Sequence, residues 1–314
     1  IFFINVVLKR MIMKTKNIYF ISLLLITIFA CNRQKNSNNG STQQDSTLHT
    51  TDKLEAYQTF INQLDSSSVE SATLAAKKYQ ELFSDQDQDT NDKAYIIFDS
   101  YYKKLTNSLN ATLEKDTVDY SPLFLQNNAP VSQNLKDYQK KLKENGFQVA
   151  SIEGMAYIEQ DRDFVAKWFE NRVSATMREY LQERNKENKE GFMKDAGLVI
   201  SGKQYVDKLI WLEKFTKYHS SFHFADDLKQ QRKRLLAFFL TGADNTPLFV
   251  YSTRNLNPYY KDAYTYLQST FPNSETNHIV SPYFQALQTG NNKKADELIA
   301  EYKHKQLIED FSKL

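Results

Sequence analysis

The chain carries a single cysteine, Cys31, in 314 residues. That excludes intrachain disulfides and any metal site built from several thiolates. Glycine and proline are scarce too, at 8 and 6 residues, well below ordinary usage. Hairpins and tight turns draw on those residues, so the scarcity disfavours a sandwich or barrel and favours helices. A dominant charge is also missing. Lys9, Arg10, Lys14 and Lys16 all precede Cys31 and no acidic residue does; removing those four from the 40 basic residues leaves 36 against 38 acidic ones, a net of −2. A weakly acidic, mixed-sign body lacks the electrostatic footprint of a nucleic-acid binder, so no nucleic-acid partner is expected. No phosphate-binding loop, nucleophile elbow or zinc-protease motif is present, and no cofactor is expected.

What is present begins near the N-terminus. Lys14 and Lys16 form a positive segment, and Ile18 to Ala30 is an uncharged, mostly apolar run of 13 residues. Such a run is short for a bilayer span and the right size for a signal-peptide core. Ile28-Phe29-Ala30-Cys31 then resembles the lipobox of bacterial lipoprotein signals. The resemblance implies cleavage after Ala30, diacylglycerol transfer to the Cys31 thiol, and attachment to a membrane through acyl chains on that residue. Met11 and Met13 are both plausible starts, which leaves Ile1 to Arg10 as upstream sequence. Asn32 to Thr51 is almost entirely Asn, Gln, Ser and Thr, with Leu48 its one aliphatic residue. It cannot bury enough apolar surface to offset its ordering entropy, so residues 31–51 read as a lipidated cysteine and flexible tether.

From Asp52 onward the periodicity predicts an all-α protein, a multi-helix bundle or irregular helical array. Residues 52–146 read as an N-terminal helical layer, with helices at 54–64, 72–83, 91–113 and 132–146. Phe147 to Ile152 reads as a short extended piece and marks the start of a main helical body, 147–314. That body is expected to hold one long helix from Arg162 to Arg184, others at 202–218 and 226–240, two more beginning at the Asn257-Pro258 and Ser281-Pro282 caps, and a last at 293–312. Tyr283, Leu287, Gly290, Ala295, Ile299 and Tyr302 resemble the small and large positions of one tetratricopeptide unit. This implies a solenoid-like C-terminal end, although a stack needs about three such units.

Three charges fall where a helix stripe expects apolar residues. Glu213 lies among Val206, Leu209 and Ile210; Arg172 among Val165, Trp168 and Phe169; Arg232 among Leu228, Leu235 and Leu236. Unpaired burial of any of them costs several kcal/mol, so Glu213 is expected to pair with Arg172 or Arg232, the spare arginine being free to recognise a carboxylate or phosphate. His219 and His223 stand four apart, before Asp226 and Asp227, and would share a face if the helix continued that far; this is the weaker signal, for a divalent metal.

Taken together, the residues lead to a lipid-anchored protein facing the periplasm or another extracytoplasmic space, which binds a partner protein or a small acidic ligand without catalysis. Inner and outer membranes are not distinguished. The competing expectations are a hydrolase-like or metal-dependent enzyme using Glu213 with His219 or His223, and a purely structural envelope protein.

Overall fold

The computed structural model describes residues 50–124, 130–253 and 255–313. The signal-like segment, Cys31 and all but the last two tether residues lie outside them. Eleven α-helices are present among the described residues: α1 (Thr50–Asn62), α2 (Glu70–Phe83), α3 (Gln88–Leu113), α4 (Gln133–Glu144), α5 (Arg162–Phe169), α6 (Ala175–Glu190), α7 (Gly202–Tyr218), α8 (Ala225–Thr241), α9 (Pro258–Thr270), α10 (Glu275–Gln288) and α11 (Asn292–His304). The protein is a mostly α-helical array, and no helix among the described residues is long and apolar enough to cross a membrane.

Local sequence explains most boundaries. Asp87, Ser132, Ser174, Ser201, Asn257 and Ser274 each accept a main-chain N–H from the first turn of the helix they precede, which satisfies donors that have no partner inside the helix. Ser201 and Gln204 complete a reciprocal capping box at α7.

Three expectations about helices fail. The last helix, expected over 293–312, ends at His304, with Lys305 as its C-cap and Gln306 at a positive φ of 55°. The single helix from Arg162 to Arg184 is two helices, α5 and α6, because Ser174 caps a new start and Asp92 of α3 takes both its N–H and its hydroxyl at 2.8 and 2.6 Å. Likewise Ser281-Pro282 begins no helix. Ser274 is the cap of α10, and Pro282 lies inside it.

Scarce glycine does not prevent hairpins either, because it is concentrated where they occur. Three two-stranded sheets are present: β1 (Phe147–Ile152) with β2 (Met155–Gln160), β3 (Met193–Lys194) with β4 (Gly197–Leu198), and β5 (Gly242–Ala243) with β6 (Thr246–Pro247). All are antiparallel, and β1–β2 runs from Phe147↔Gln160 to Ile152↔Met155. Each follows a helix that ends near a positive-φ glycine: Gly146, Gly191 or Gly242. Their turns are tied side by side, since Glu153 N–H donates to Asp195 Oδ1 at 3.0 Å and Asn245 N–H to the Ala196 carbonyl at 3.1 Å. The stretches 195–197 and 242–247 are thus parts of two hairpins, their turns together with the short strands beside them.

Residues 50–309 belong to one compact unit, so the step from 146 to 147 does not separate two cores. Phe147 is fully buried against Tyr102 of α3, at 5.0 Å between ring centroids. Buried tyrosines join helices in pairs by donating to carbonyls: Tyr57 to Ala75, Tyr205 to Leu235, Tyr264 to Phe239 and Tyr302 to Ile279, at 2.6 to 3.0 Å. A phenol supplies bulk to the core while its hydroxyl finds the acceptor that burial demands. Toward the C-terminal end, α7 packs on α8, α9 and α10, and α10 on α11. The short piece from Asp310 onward groups separately and forms a 3₁₀ turn at Phe311–Lys313.

Candidate functional site

Glu213 is on the second half of α7, and its carboxylate meets the N-terminus of α10. Oε1 accepts the Glu275 N–H at 2.9 Å, while Oε2 accepts the Thr276 N–H at 2.8 Å and the Thr276 hydroxyl at 2.7 Å. Arg232 of α8 reaches the same place. Its Nη2 donates to Glu213 Oε2 at 3.3 Å and to Thr276 Oγ1 at 3.2 Å, and its Nη1 lies 3.5 Å from Glu275 Oε2. The two charged side chains are only 13% and 14% exposed.

Burial pushes the Glu213 carboxyl up. The Thr276 hydroxyl, the two amides and Arg232 outweigh it and hold the group below the usual carboxylate range. A helix N-terminus carries partial positive charge and free N–H groups, so a carboxylate suits it. The arrangement is an anion site with the protein's own carboxylate in it. Glu213 therefore pairs with Arg232, one of its two expected partners.

Arg172 stands elsewhere. Its inward position assumed a continuous helix, and the chain between α5 and α6 is broken at that point. Arg172 is half-buried, and its Nη1 donates to the carbonyl of exposed Ser84 at 3.4 Å, just past the end of α2. No spare arginine faces Glu213 from this quarter.

The two histidines do not share a helical face, because α7 ends at Tyr218 and His219 is its C-cap, with φ of −122°. His219 stacks near Phe215 and has its Nδ1 3.4 Å from Thr176 Oγ1. His223 is exposed, in the turn before α8, edge-on to Phe224. Among the described residues no group of three or more His, Cys, Asp or Glu side chains is placed to hold a metal ion.

A second set of inward charges was not singled out from sequence. Asp99 of α3 is 1% exposed, lying 3.6 Å from Arg162 Nη1 of α5 and 2.6 Å from Lys103 Nζ. Burial raises the Asp99 carboxyl, and Arg162, Lys103 and Arg184 more than reverse it, so it stays ionised. Arg184 of α6 pairs with Glu187, which also contacts Lys208 of α7 and accepts from Gln231 Nε2 of α8 at 3.3 Å. Burial pulls the Lys208 ammonium down to about 7; Glu183 opposes that, while Arg184 and Lys186 add to it.

Beside Lys208 is a cavity of about 20 Å³ whose lining includes Glu183, Glu187, Gln204 and Ile200, roughly the room one water needs. The same periodicity test that found Glu213 finds these residues. Asp99 is four after Tyr95 and three before Tyr102, and Lys208 is three after Tyr205 and four before Leu212.

Chemically, both groups of charges are joints between helices. Each brings opposite charges of two or more helices within contact. No family, curated protein or solved structure in the comparisons matches this chain.

Proposed function

We propose that the chain is a lipid-anchored extracytoplasmic protein without catalytic activity, whose helical body engages a partner protein. The lipobox-like Ile28 to Cys31 supports the anchor, and the tether after it, rich in Asn, Gln, Ser and Thr, supports a body held away from the bilayer surface. The observation that carries the choice of partner over small acidic ligand is the occupancy of the Arg232 site. Glu213 fills the position a ligand carboxylate would take, and Thr276, Glu275 and Arg232 already bond to it. The same observation weighs against an enzyme using Glu213 as general base, since a base needs a free lone pair directed at substrate and a carboxyl near the working pH.

Two measurements test the reading. Metabolic labelling with a radioactive fatty acid is expected to mark the chain, and Cys31→Ser to abolish the label; an unlabelled wild type removes the anchor. Thermal unfolding with millimolar phosphate, citrate and acetate is expected to leave the melting temperature unchanged beyond the salt effect. A saturable rise that Arg232→Gln abolishes would restore the acidic-ligand reading.

A further inference from the structure

The hairpin β1–β2 has two edges, and the protein treats them differently. Asp161 N–H donates to the Gly146 carbonyl at 2.7 Å, which makes 146 and 161 a hydrogen-bonded pair. Alternation along an antiparallel ladder then makes Gln148↔Glu159, Ala150↔Tyr157 and Ile152↔Met155 the bonded pairs. The main-chain groups of Phe147, Val149 and Ser151 on β1, and of Ala156, Ile158 and Gln160 on β2, therefore point away from the partner strand.

On β2 this outer edge is closed. Asn110 of α3 acts as a substitute strand, its Nδ2 donating to the Ile158 carbonyl and its Oδ1 accepting the Ile158 N–H, both at 2.8 Å. On β1 it is open. Among the described residues none hydrogen-bonds the outward main-chain groups of Val149 or Ser151, and both residues are half-buried rather than covered. The strand reads FQVASI, with no proline and no charge, and its register with β2 runs without a bulge. Those are the devices by which natural edges avoid pairing, and β1 uses none of them.

We propose that this edge pairs with the same edge of a second copy, antiparallel about a two-fold axis through Ala150, so that two hairpins become one four-stranded sheet. In such a contact Val149 N–H and C=O meet those of Ser151 in the second copy, and the reverse, which satisfies the open groups of both residues at once. Ala150 then faces its own counterpart in a non-hydrogen-bonded pair, where the Cα atoms approach to about 4.5 Å, and its methyl group leaves room for that approach. An isologous contact sets like residues close together, so any charged residue near the axis would repel its own copy. The uncharged composition of β1 suits self-pairing for that reason. The inference depends on neither the lipid anchor nor the Glu213 site.

Sedimentation velocity of the purified full chain tests it, with thermal unfolding as the check on fold. The wild type is expected to dimerise with rising concentration. Ser151→Pro removes an N–H that makes no ladder bond, so it is expected to weaken the dimer at least tenfold while the melting temperature holds. Ala150→Lys and Ala150→Glu are each expected to be monomeric, and an equimolar mixture of the two to associate again. If Ser151→Pro lowers the melting temperature, the charge exchange at 150 decides alone. A wild type that stays monomeric at every concentration overturns the proposal, as does a dimer indifferent to these changes or a charged pair that fails to reassociate. A monomeric wild type that adds an extended peptide of another protein, in a manner sensitive to Ser151→Pro, overturns it in favour of a foreign strand.

Discussion

Replacing Glu213 with alanine removes the acceptor that satisfies two amides and a hydroxyl at the start of α10, and it leaves Arg232 only 14% exposed with its main counter-charge gone. Breaking a buried pair from one side costs about 3–5 kcal/mol, because the remaining charge stays desolvated. The freed amides cost less, since they lie near the surface where water can replace the lost acceptor. We expect Glu213→Ala to destabilise the protein by about 3–4 kcal/mol, which is a fall of roughly 10 °C in melting temperature for a unit of this size. Glu213→Gln keeps one oxygen but turns an amide NH₂ toward donors, and about 2 kcal/mol is expected.

Urea unfolding followed by circular dichroism, with the slope checked for constancy, measures both variants. The double-mutant cycle gives the sharper number. Glu213 with Arg232 should couple by about 1–2 kcal/mol, and Glu213 with Arg172 should be additive within about 0.5 kcal/mol. The pH dependence has a definite sign. Because the folded Glu213 carboxyl lies below its ordinary value of 4.5, its contribution is complete above that value and disappears as the pH falls through the folded one. The acid limb of the stability curve should therefore be steeper in the wild type than in Glu213→Gln. A Glu213→Ala cost under about 1 kcal/mol, or zero coupling to Arg232, would refute the reasoning.

Three further outcomes follow from named residues. Lys208 has its ammonium pulled down to about 7 from an ordinary 10.5, so between those values the unfolded chain holds a proton the folded chain has released. Stability should rise with pH across that window, by at most ~5 kcal/mol at about 1.4 kcal/mol per pH unit, and equal slopes in the wild type and Lys208→Met would remove the argument. Gly146 and Gly154 both have positive φ, but a Cβ on Gly146 would lie 2.7 Å from the Phe164 ring and 2.8 Å from the Tyr102 hydroxyl, whereas one on Gly154 would meet nothing within 4 Å. Denaturant unfolding should show Gly154→Ala costing about 1 kcal/mol and Gly146→Ala at least ~3 kcal/mol; comparable costs would mean that the backbone angle, and not the contact, governs. Elemental analysis after mild purification should find no stoichiometric transition metal, and a bound metal lost in His219→Ala would reinstate the histidine pair.

Much of the helical array is legible in the sequence, because stripe and cap agree. Ser201 followed by Gly202, and Asn257 by Pro258, open α7 and α9 at the residues expected, and Phe147 to Ile152 is β1 without adjustment. The failures come from tertiary partners that local pattern does not contain. Ser174 starts a new helix because Asp92, far away in sequence, binds it. That break also removes Arg172 from the face its spacing assigned. Ser281-Pro282 has the composition of a cap and is not one, since Ser274 begins the same helix seven residues earlier. The site is half legible for a related reason. Periodicity says that Glu213 and Arg232 point inward, but their shared partner is the main chain at Glu275 and Thr276, whose position no stripe encodes. Asp99 and Lys208 were within reach of the same test, because each interrupts an aromatic or aliphatic stripe.

The residues that suggested a ligand turn out to illustrate why an inward charge cannot by itself separate recognition of a ligand from recognition of a neighbouring helix. The physics is shared: a helix N-terminus, a hydroxyl and a guanidinium bind a carboxylate whichever molecule supplies it. What separates the cases is the balance of donors and acceptors. Around Glu213 the Glu275 and Thr276 amides, the Thr276 hydroxyl and the Arg232 Nη2 converge on one carboxylate, which takes all of them. Arg232 Nε is the buried donor there that finds no partner among the described residues, and a lone N–H is a demand water can meet. An external anion would have to eject Glu213, leaving it to recover solvent from a half-buried position. Displacement of this kind carries about the 3–5 kcal/mol of a broken buried pair, which weakens any ligand by roughly two to four orders of magnitude. A hydrophobic residue at 213 would tolerate many rotations of α10 against α7, whereas the carboxylate is satisfied only where the first amides of α10 come within about 3 Å of it. The charge therefore acts on the geometry of the array more than on its total stability, and it does so with the chemistry of a binding site.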